Sequence, residues 1–117
     1  MSRLSTHVLD TARGTPAAGV AITLYRVTPA GREQVLTTRT NADGRTDGPL
    51  LSGDTMAVGT YELDFEAGAY FRALGETLPQ PAFVDRVTLR FGIADPNGHY
   101  HVPLLVSPWS YSTYRGS

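Results

Sequence analysis

The sequence predicts an all-β protein, built as a β-sandwich in a single domain that spans residues 1–117. Three observations favour this fold class. Apolar residues recur at every second position, the alternating segments are short, and clusters of turn-forming residues separate them. A chain of 117 residues can bury one hydrophobic core but not two. Short strands at this spacing are typical of two sheets packed face to face.

The clearest strands alternate between apolar and polar side chains, and they are predicted at 20–27, 60–68 and 86–93. In the first of these segments, one face carries Val20, Ile22 and Leu24. In the second, three acidic residues fill the polar face and are expected to be solvated: Glu62, Asp64 and Glu66. Further extended segments are predicted at 99–108 and 111–116, with weaker ones at 4–10, 33–40 and around Arg45.

One segment, 69–76, has helical spacing instead. Tyr70 and Leu74 lie four residues apart, and Gly75 stands where a glycine commonly ends a helix. The segments between the strands, such as 12–19, are rich in Gly, Pro, Asn and Asp and are predicted to be turns. The sequence therefore predicts one short helix in an otherwise all-β chain.

Charge and composition exclude several classes of protein. The formal net charge is -1 and only 18% of the residues are charged, so we expect neither a nucleic acid nor a membrane as a partner. The chain has no cysteine, which rules out disulfides, thiolate nucleophiles and cysteine-ligated zinc. Its first ten residues lack the apolar stretch of a signal peptide or membrane anchor, so we expect a cytoplasmic location.

Three histidines are the first candidates for chemistry: His7, His99 and His101. Histidine exchanges protons near neutral pH more readily than any other side chain. Because His99 and His101 lie two apart in a predicted strand, they share a face. Together with His7 they suit either proton transfer or a zinc site with one open position. A third interpretation is that they are surface residues without a catalytic role.

Arg45 is the next candidate, because it follows an Asp-Gly turn at the start of an extended segment. Its planar guanidinium offers paired donors to a ligand rich in carbonyl groups. From spacing alone, an ion pair with Asp43 or Asp47 is the simpler interpretation.

Three stretches of the sequence resemble one known family. The opening LSTHVLDTARGTPAAGV, the central NADGRTDGPL and the closing HYHVPLLVSPWSYSTYRGS are similar to the transthyretin-like 5-hydroxyisourate hydrolases of purine degradation. The resemblance covers nearly the whole chain. Transthyretin proper has a similar framework but lacks this combination of His, Arg, His and terminal Tyr-Arg-Gly-Ser. The resemblance therefore favours the enzyme over the hormone carrier.

The resemblance implies a particular sandwich and a particular assembly. The fold would have two four-stranded sheets and a short helix after the fifth strand. Four chains would form a homotetramer by pairing of dimers. The sheet face that carries His7 and His101 would line a cleft at the dimer–dimer interface, where the active sites would lie. The terminal YRGS segment would close that cleft and shape its pocket.

The resemblance also implies a reaction. The substrate 5-hydroxyisourate would be hydrolysed, without a metal or other cofactor, to 2-oxo-4-hydroxy-4-carboxy-5-ureidoimidazoline. The implied catalytic residues are His7, Arg45, His101 and Ser117, and the implied substrate-binding residues are His7, Arg45 and Tyr114. Two alternatives stay open: a small-molecule carrier without catalysis, and a zinc hydrolase with His7, His99 and His101 as ligands.

Overall fold

A computed structural model describes residues 2–117 of the protein. The strands, in chain order, are β1 (Arg3–Ser5), β2 (Val8–Asp10), β3 (Thr15–Pro16), β4 (Ala21–Thr28), β5 (Gly31–Arg39), β6 (Leu51–Ser52), β7 (Gly59–Glu66), β8 (Arg86–Ile93), β9 (His99–His101), β10 (Leu104–Val106) and β11 (Tyr111–Ser112). A short 3-10 helix, Gly53–Thr55, follows β6, and helix α1, Ala67–Ala73, follows β7. The predicted all-β class with one short α-helix is confirmed.

The first layer of the sandwich is an antiparallel sheet with the strand order β5-β4-β7-β8. Its core face carries the alternating apolar residues that the sequence predicted, among them the fully buried Ile22, Leu24, Leu63 and Phe65. Each such side chain contributes on the order of 2 kcal/mol of burial free energy. The period of two therefore identified the core face of this sheet correctly.

The second layer consists of two short sheets, with the orders β6-β1-β9 and β11-β10-β2-β3. Only residues 6–7 separate β1 from β2, and only residues 102–103 separate β9 from β10. The pairing continues across this gap, because the Leu104 N–H donates to the His7 carbonyl at 2.9 Å. Pro103 has no N–H to contribute to the ladder. The second layer is thus interrupted at residues 6–7 and 102–103, and it is two short sheets rather than one regular four-stranded sheet.

Several local predictions need correction. The segment around Arg45 is not a strand but an isolated bridge to His7. The predicted strand 111–116 is shorter, because only Tyr111–Ser112 pairs as a strand. The predicted turn 12–19 contains β3, which pairs with β2. Helix α1 begins earlier than predicted, whereas Gly75 ends it as expected, with a φ of 91°. Within residues 2–117, no helix is long and apolar enough to cross a membrane.

The expected solvation of the acidic row on β7 is wrong for Asp64. This carboxylate is 2% exposed and accepts hydrogen bonds from Arg32 Nη1 at 3.1 Å and Thr88 Oγ1 at 2.7 Å. Glu62 and Glu66 are also paired, with arginines of β5 and β8. The groups that pair with these carboxylates lie on other strands, so the alternation within β7 could not indicate them. The row therefore stabilises the sheet.

Candidate active site

Strands β1 and β9 bring four polar side chains together. The two strands run parallel, with Arg3 opposite His99 and Ser5 opposite His101. Residues two apart on a strand point to the same side. The four side chains therefore form a two-by-two grid, although almost a hundred residues of chain separate the two strands.

His101 is half-buried in this grid and contacts Ser5, whose Oγ lies 2.8 Å from His101 Nδ1. Burial lowers the pKa of His101 below its usual value, and the positive charges of Arg45, His7 and Arg3 lower this pKa further. His101 is therefore neutral at pH 7 and keeps a lone pair on one ring nitrogen.

His7 is fixed by a different hydrogen bond. Its Nε2 lies 2.8 Å from the backbone carbonyl oxygen of Asp43. A carbonyl oxygen can only accept, so Nε2 carries the hydrogen and donates it. In the neutral ring, Nδ1 is then unprotonated and can act as a base. The His7 backbone also forms the bridge to Arg45, which joins this histidine to the loop that carries the arginine.

The loop before Arg45 is folded around the side chain of Asn41. Its Oδ1 accepts the backbone N–H groups of Asp43 at 2.9 Å and Arg45 at 3.2 Å. Gly44 has a φ of 75°, and a side chain there would collide with the Val8 carbonyl. The Asn-x-x-Gly-Arg sequence thus fixes the point from which the Arg45 side chain projects.

The alternative of a simple ion pair at Arg45 is not found. Within residues 2–117, its guanidinium forms no salt bridge with any carboxylate. The Asp47 carboxylate accepts from the Asn41 side-chain amide at 3.1 Å instead, and Asp43 offers its backbone carbonyl to His7. The positive charge of Arg45 therefore remains available to a ligand.

Two adjoining cavities open beside these side chains. The smaller, of about 180 Å³, is lined mainly by Arg3, Ser5, Arg45, His99, His101 and Ser117. The larger, of about 300 Å³, extends along the loop 45–49 and shares three of these residues: Arg3, Ser5 and Arg45. His7 lines neither cavity. Polar walls with convergent donors suit a small polar ligand.

The terminal segment reaches the smaller cavity through Gly116. Its N–H donates to the His101 carbonyl at 2.7 Å, and the His101 N–H donates back to the Gly116 carbonyl at 3.1 Å. This bridge places Ser117 in the cavity wall. Tyr114 lies elsewhere, 59% exposed, in a groove beside β8. The structure thus brings Arg45, His101 and Ser117 to one cavity, with Tyr114 outside it.

The zinc alternative requires three ligands in one place. Within the part of the chain that the structure describes, no three or more His, Cys, Asp or Glu side chains are arranged to hold a metal ion. His99 and His101 share the cavity wall, but His7 is bonded to the Asp43 carbonyl. The three-histidine ligand set is therefore not assembled in residues 2–117.

Residues 4–116 match the sequence profile of the HIUase/Transthyretin family. The chain belongs to this family. A family member from Ralstonia nicotianae, named 5-hydroxyisourate hydrolase, is 62% identical over 117 residues, which is 100% of both chains.

Two solved structures show how the family fold is used in other proteins. A structure named (S)-allantoin synthase aligns with a TM-score of 0.93 and 49% identity, over 99% of this chain and 44% of that one. This chain thus spans less than half the length of that protein. Sea bream transthyretin in complex with thyroxine aligns with a TM-score of 0.85 and 32% identity, over 97% of this chain and 94% of that one. Both confirm the predicted transthyretin-like fold.

Two residues of the candidate site were missed from the sequence. Arg3 and Ser5 precede His7 at alternate positions of a predicted strand, and this period of two was the signal that could have found them. The motifs that carry the family resemblance drew attention to His7 and Arg45 instead. The parallel pairing with β9, which brings Ser5 to His101, cannot be deduced from spacing.

Proposed function

We propose that this protein hydrolyses 5-hydroxyisourate to 2-oxo-4-hydroxy-4-carboxy-5-ureidoimidazoline, a step of urate degradation, and that it does so in the cytoplasm and without a metal. The observation that carries the proposal is one cavity in which a neutral His101 and the Arg45 guanidinium face the same space. The name of the 62% identical relative supports the choice of substrate.

The proposed reaction opens a ring by adding water to a carbonyl group. The water oxygen bonds to C6 and the N1–C6 bond breaks. One water proton goes to N1, and the other is released as the new carboxylic acid ionises. The chemistry therefore needs a base for the water, donors for the oxygen that becomes negative, and an acid for the leaving nitrogen.

The two histidines suit the proton transfers because their environments differ. We assign the base to His7, whose Nδ1 has a lone pair when Nε2 donates to Asp43. We assign His101 to the leaving nitrogen, because a ring that accepts the Ser5 hydroxyl at Nδ1 carries its hydrogen on Nε2. A neutral donor of this kind does not need the charged form that burial disfavours.

The remaining roles follow from charge and position. Arg45 would bind the carbonyl groups of the substrate and stabilise the oxyanion with its planar donors. Ser117, in the same cavity wall, would contribute through a hydrogen bond to the substrate or the attacking water, which leaves both ring nitrogens of His101 to Ser5 and the leaving nitrogen. Tyr114 would contact the edge of the bound ring from the neighbouring groove. Its ring lies next to Gly116, since a side chain on Gly116 would come within 3.4 Å of Tyr114 Cε1.

We further propose that the site is completed in a homotetramer, at the dimer–dimer interface. In a single chain the cavities measure about 180 and 300 Å³. These volumes are at or below the lower end of the range for ligand sites, about 300 Å³. A second copy across the cleft would supply the opposite wall. Sizing chromatography with light scattering measures the assembly directly.

The carrier alternative is supported by the likeness to the structure of sea bream transthyretin in complex with thyroxine. The cavity of this protein argues against that role. Two guanidinium groups and two imidazoles in its wall would each lose hydration on binding a large apolar ligand. The same groups are useful for a small polar ring that develops negative charge.

The experiment that tests the proposed function is a spectrophotometric assay on freshly generated 5-hydroxyisourate. We expect the purified protein to accelerate loss of the substrate far above its spontaneous decay, in proportion to enzyme concentration. Pretreatment with a chelator should leave the rate unchanged. Decay at the spontaneous rate, at every protein concentration, would refute the function, and a rate abolished by chelator would restore the zinc alternative.

Replacing Arg45 with Lys should lower kcat/KM by about a hundredfold, because the charge is kept but the planar fork of donors is lost. Steady-state kinetics on the same substrate measures the change. Arg39→Lys is the matched control, since Arg39 only donates to the Gly19 carbonyl at 3.1 Å. If Arg45→Lys retained the wild-type kcat/KM, Arg45 would have no role in binding the transition state.

Replacing Ser5 with Ala should lower kcat by about tenfold, because a histidine without this hydrogen-bond partner is less well oriented for proton transfer. The His101 ring would lose the hydroxyl that lies 2.8 Å from its Nδ1. Ser5→Thr keeps the hydroxyl and should restore most of the activity. Equal rates for the Ala and Thr variants would show that the hydroxyl does not position His101.

A further inference from the structure

Every cationic side chain of this protein is an arginine, and there are ten. Within residues 2–117, seven of them donate hydrogen bonds or form ion pairs: Arg13, Arg26, Arg32, Arg39, Arg72, Arg86 and Arg90. The guanidinium of Arg115 lies over the Tyr100 ring, 4.4 Å from its centroid. The side chains of Arg3 and Arg45 have no such partner in this part of the chain, and both line the same two cavities.

Two cations beside one cavity repel each other unless a counterion is present. The positive charges of Arg3 and Arg45 both lower the pKa of His101. The larger cavity also contains Asp47, but this carboxylate is hydrogen-bonded to Asn41 and pairs with neither arginine. The wall shared by the two cavities, which is formed by Arg3, Ser5 and Arg45, therefore carries two positive charges and no carboxylate.

We propose that Arg3 and Arg45 together form a binding site for the carboxylate of the ring-opened product. Hydrolysis of the C6 carbonyl creates one new carboxylate, and a guanidinium binds a carboxylate through two parallel hydrogen bonds. Arg45 faces both cavities, so it meets the oxygen first as the oxyanion and then as the carboxylate. The identity of the anion rests on the proposed function, whereas the preference for a carboxylate does not.

Arg3 is thus a specificity-determining residue rather than a catalytic one. It reaches this position because β1 places it on the same face as Ser5 and directly opposite His99. Its removal should affect binding of a carboxylate much more than binding of a neutral ring of similar size. This contrast separates a carboxylate site from a residue that merely supports the fold.

The test uses two stable probes, hydantoate, which is a ureido carboxylate, and hydantoin, its neutral cyclised form. Binding is measured by NMR chemical-shift titration on wild type, Arg3→Gln, Arg3→Lys and the control Arg39→Gln. We expect Arg3→Gln to weaken hydantoate binding by about tenfold, the effect of one charge-assisted contact. The affinity of Arg3→Lys for hydantoate should lie between those of wild type and Arg3→Gln. Hydantoin should bind all four proteins with the same affinity. Equal hydantoate affinity in wild type and Arg3→Gln, or no binding to wild type, would overturn the proposal.

The titration of His101 provides a second readout that does not depend on activity. The charges that lower the pKa of His101 are those of Arg3 on β1, of His7 between β1 and β2, and of Arg45 on the loop. His99 and Ser117 also line its cavity, and they are the same in all the variants compared. Removing one positive charge should raise the pKa of His101, so its NMR titration midpoint should move upward in Arg3→Gln and not in Arg39→Gln. An unchanged midpoint would place Arg3 away from the site and overturn the proposal. A protein that binds hydantoate through Arg3 but does not hydrolyse 5-hydroxyisourate would refute the function alone.

Discussion

His7→Ala and His101→Ala are each expected to lower kcat for 5-hydroxyisourate by at least about a hundredfold, the usual scale for losing a general acid or base. Neither change should unfold the protein, because both side chains are only half-buried and neither belongs to the hydrophobic core. Steady-state kinetics gives the loss of activity, and thermal unfolding followed by circular dichroism gives the stability of each variant.

His99→Ala is the matched control for this pair. His99 lies on the same strand and faces the same cavity as His101, but it is exposed and opposite Arg3 rather than Ser5. A proton-transfer pair made of His7 and His101 predicts nearly wild-type kinetics for His99→Ala. Equal losses in all three variants, together with inactivation by chelator, would instead indicate three metal ligands.

Gly116→Val should cost about a hundredfold in kcat, which is the effect of displacing a catalytic group by about 1 Å. Even a single Cβ on Gly116 would lie 3.1 Å from His101 Cβ and 3.3 Å from His101 Cδ2. His101 or the terminal segment must therefore give by a few tenths of an ångström, and a branched side chain demands a larger displacement than Ala. We expect kcat to decrease in the order wild type, Gly116→Ala, Gly116→Val.

Gly92→Val is the control for adding a branched side chain to an open position, because nothing lies within 4 Å of a Cβ built on Gly92. It should leave kcat unchanged. The folded state and assembly of each variant are checked by circular dichroism and sizing chromatography. A folded Gly116→Val protein with normal kcat would mean that the terminal segment does not position His101.

The sequence was sufficient to predict the layers of this fold, because packing demands apolar residues on one face of each strand. The alternation in β4, β7 and β8 named the buried side chains correctly. It failed where side chains cover one another across strands. Asp64 looked solvated within its own strand, and only the approach of Arg32 from β5 and Thr88 from β8 makes it buried.

The candidate site was predictable only in part. The resemblance singled out His101, Arg45 and Ser117, which the structure brings to one cavity. It did not indicate Arg3 or Ser5. These two residues reach the cavity because β1 pairs with β9, and this pairing is not visible in the sequence. His7 and Tyr114 lie outside this cavity in a single chain, and their contributions remain predictions that depend on the proposed assembly.

The parallel pairing of β1 with β9 also has a consequence for how the protein folds. Ser5 and His101 are 96 positions apart, so their contact closes one of the longest loops that this chain can make. Closing a long loop costs more chain entropy than forming a hairpin, and contacts of this range slow folding. The antiparallel sheet of β4, β5, β7 and β8 needs only one hairpin and the connections 40–58 and 67–85, which close much shorter loops, and it can form first. The cavity exists only once the remote strands have met, so a chain that has completed this sheet alone has much of its core and no active site.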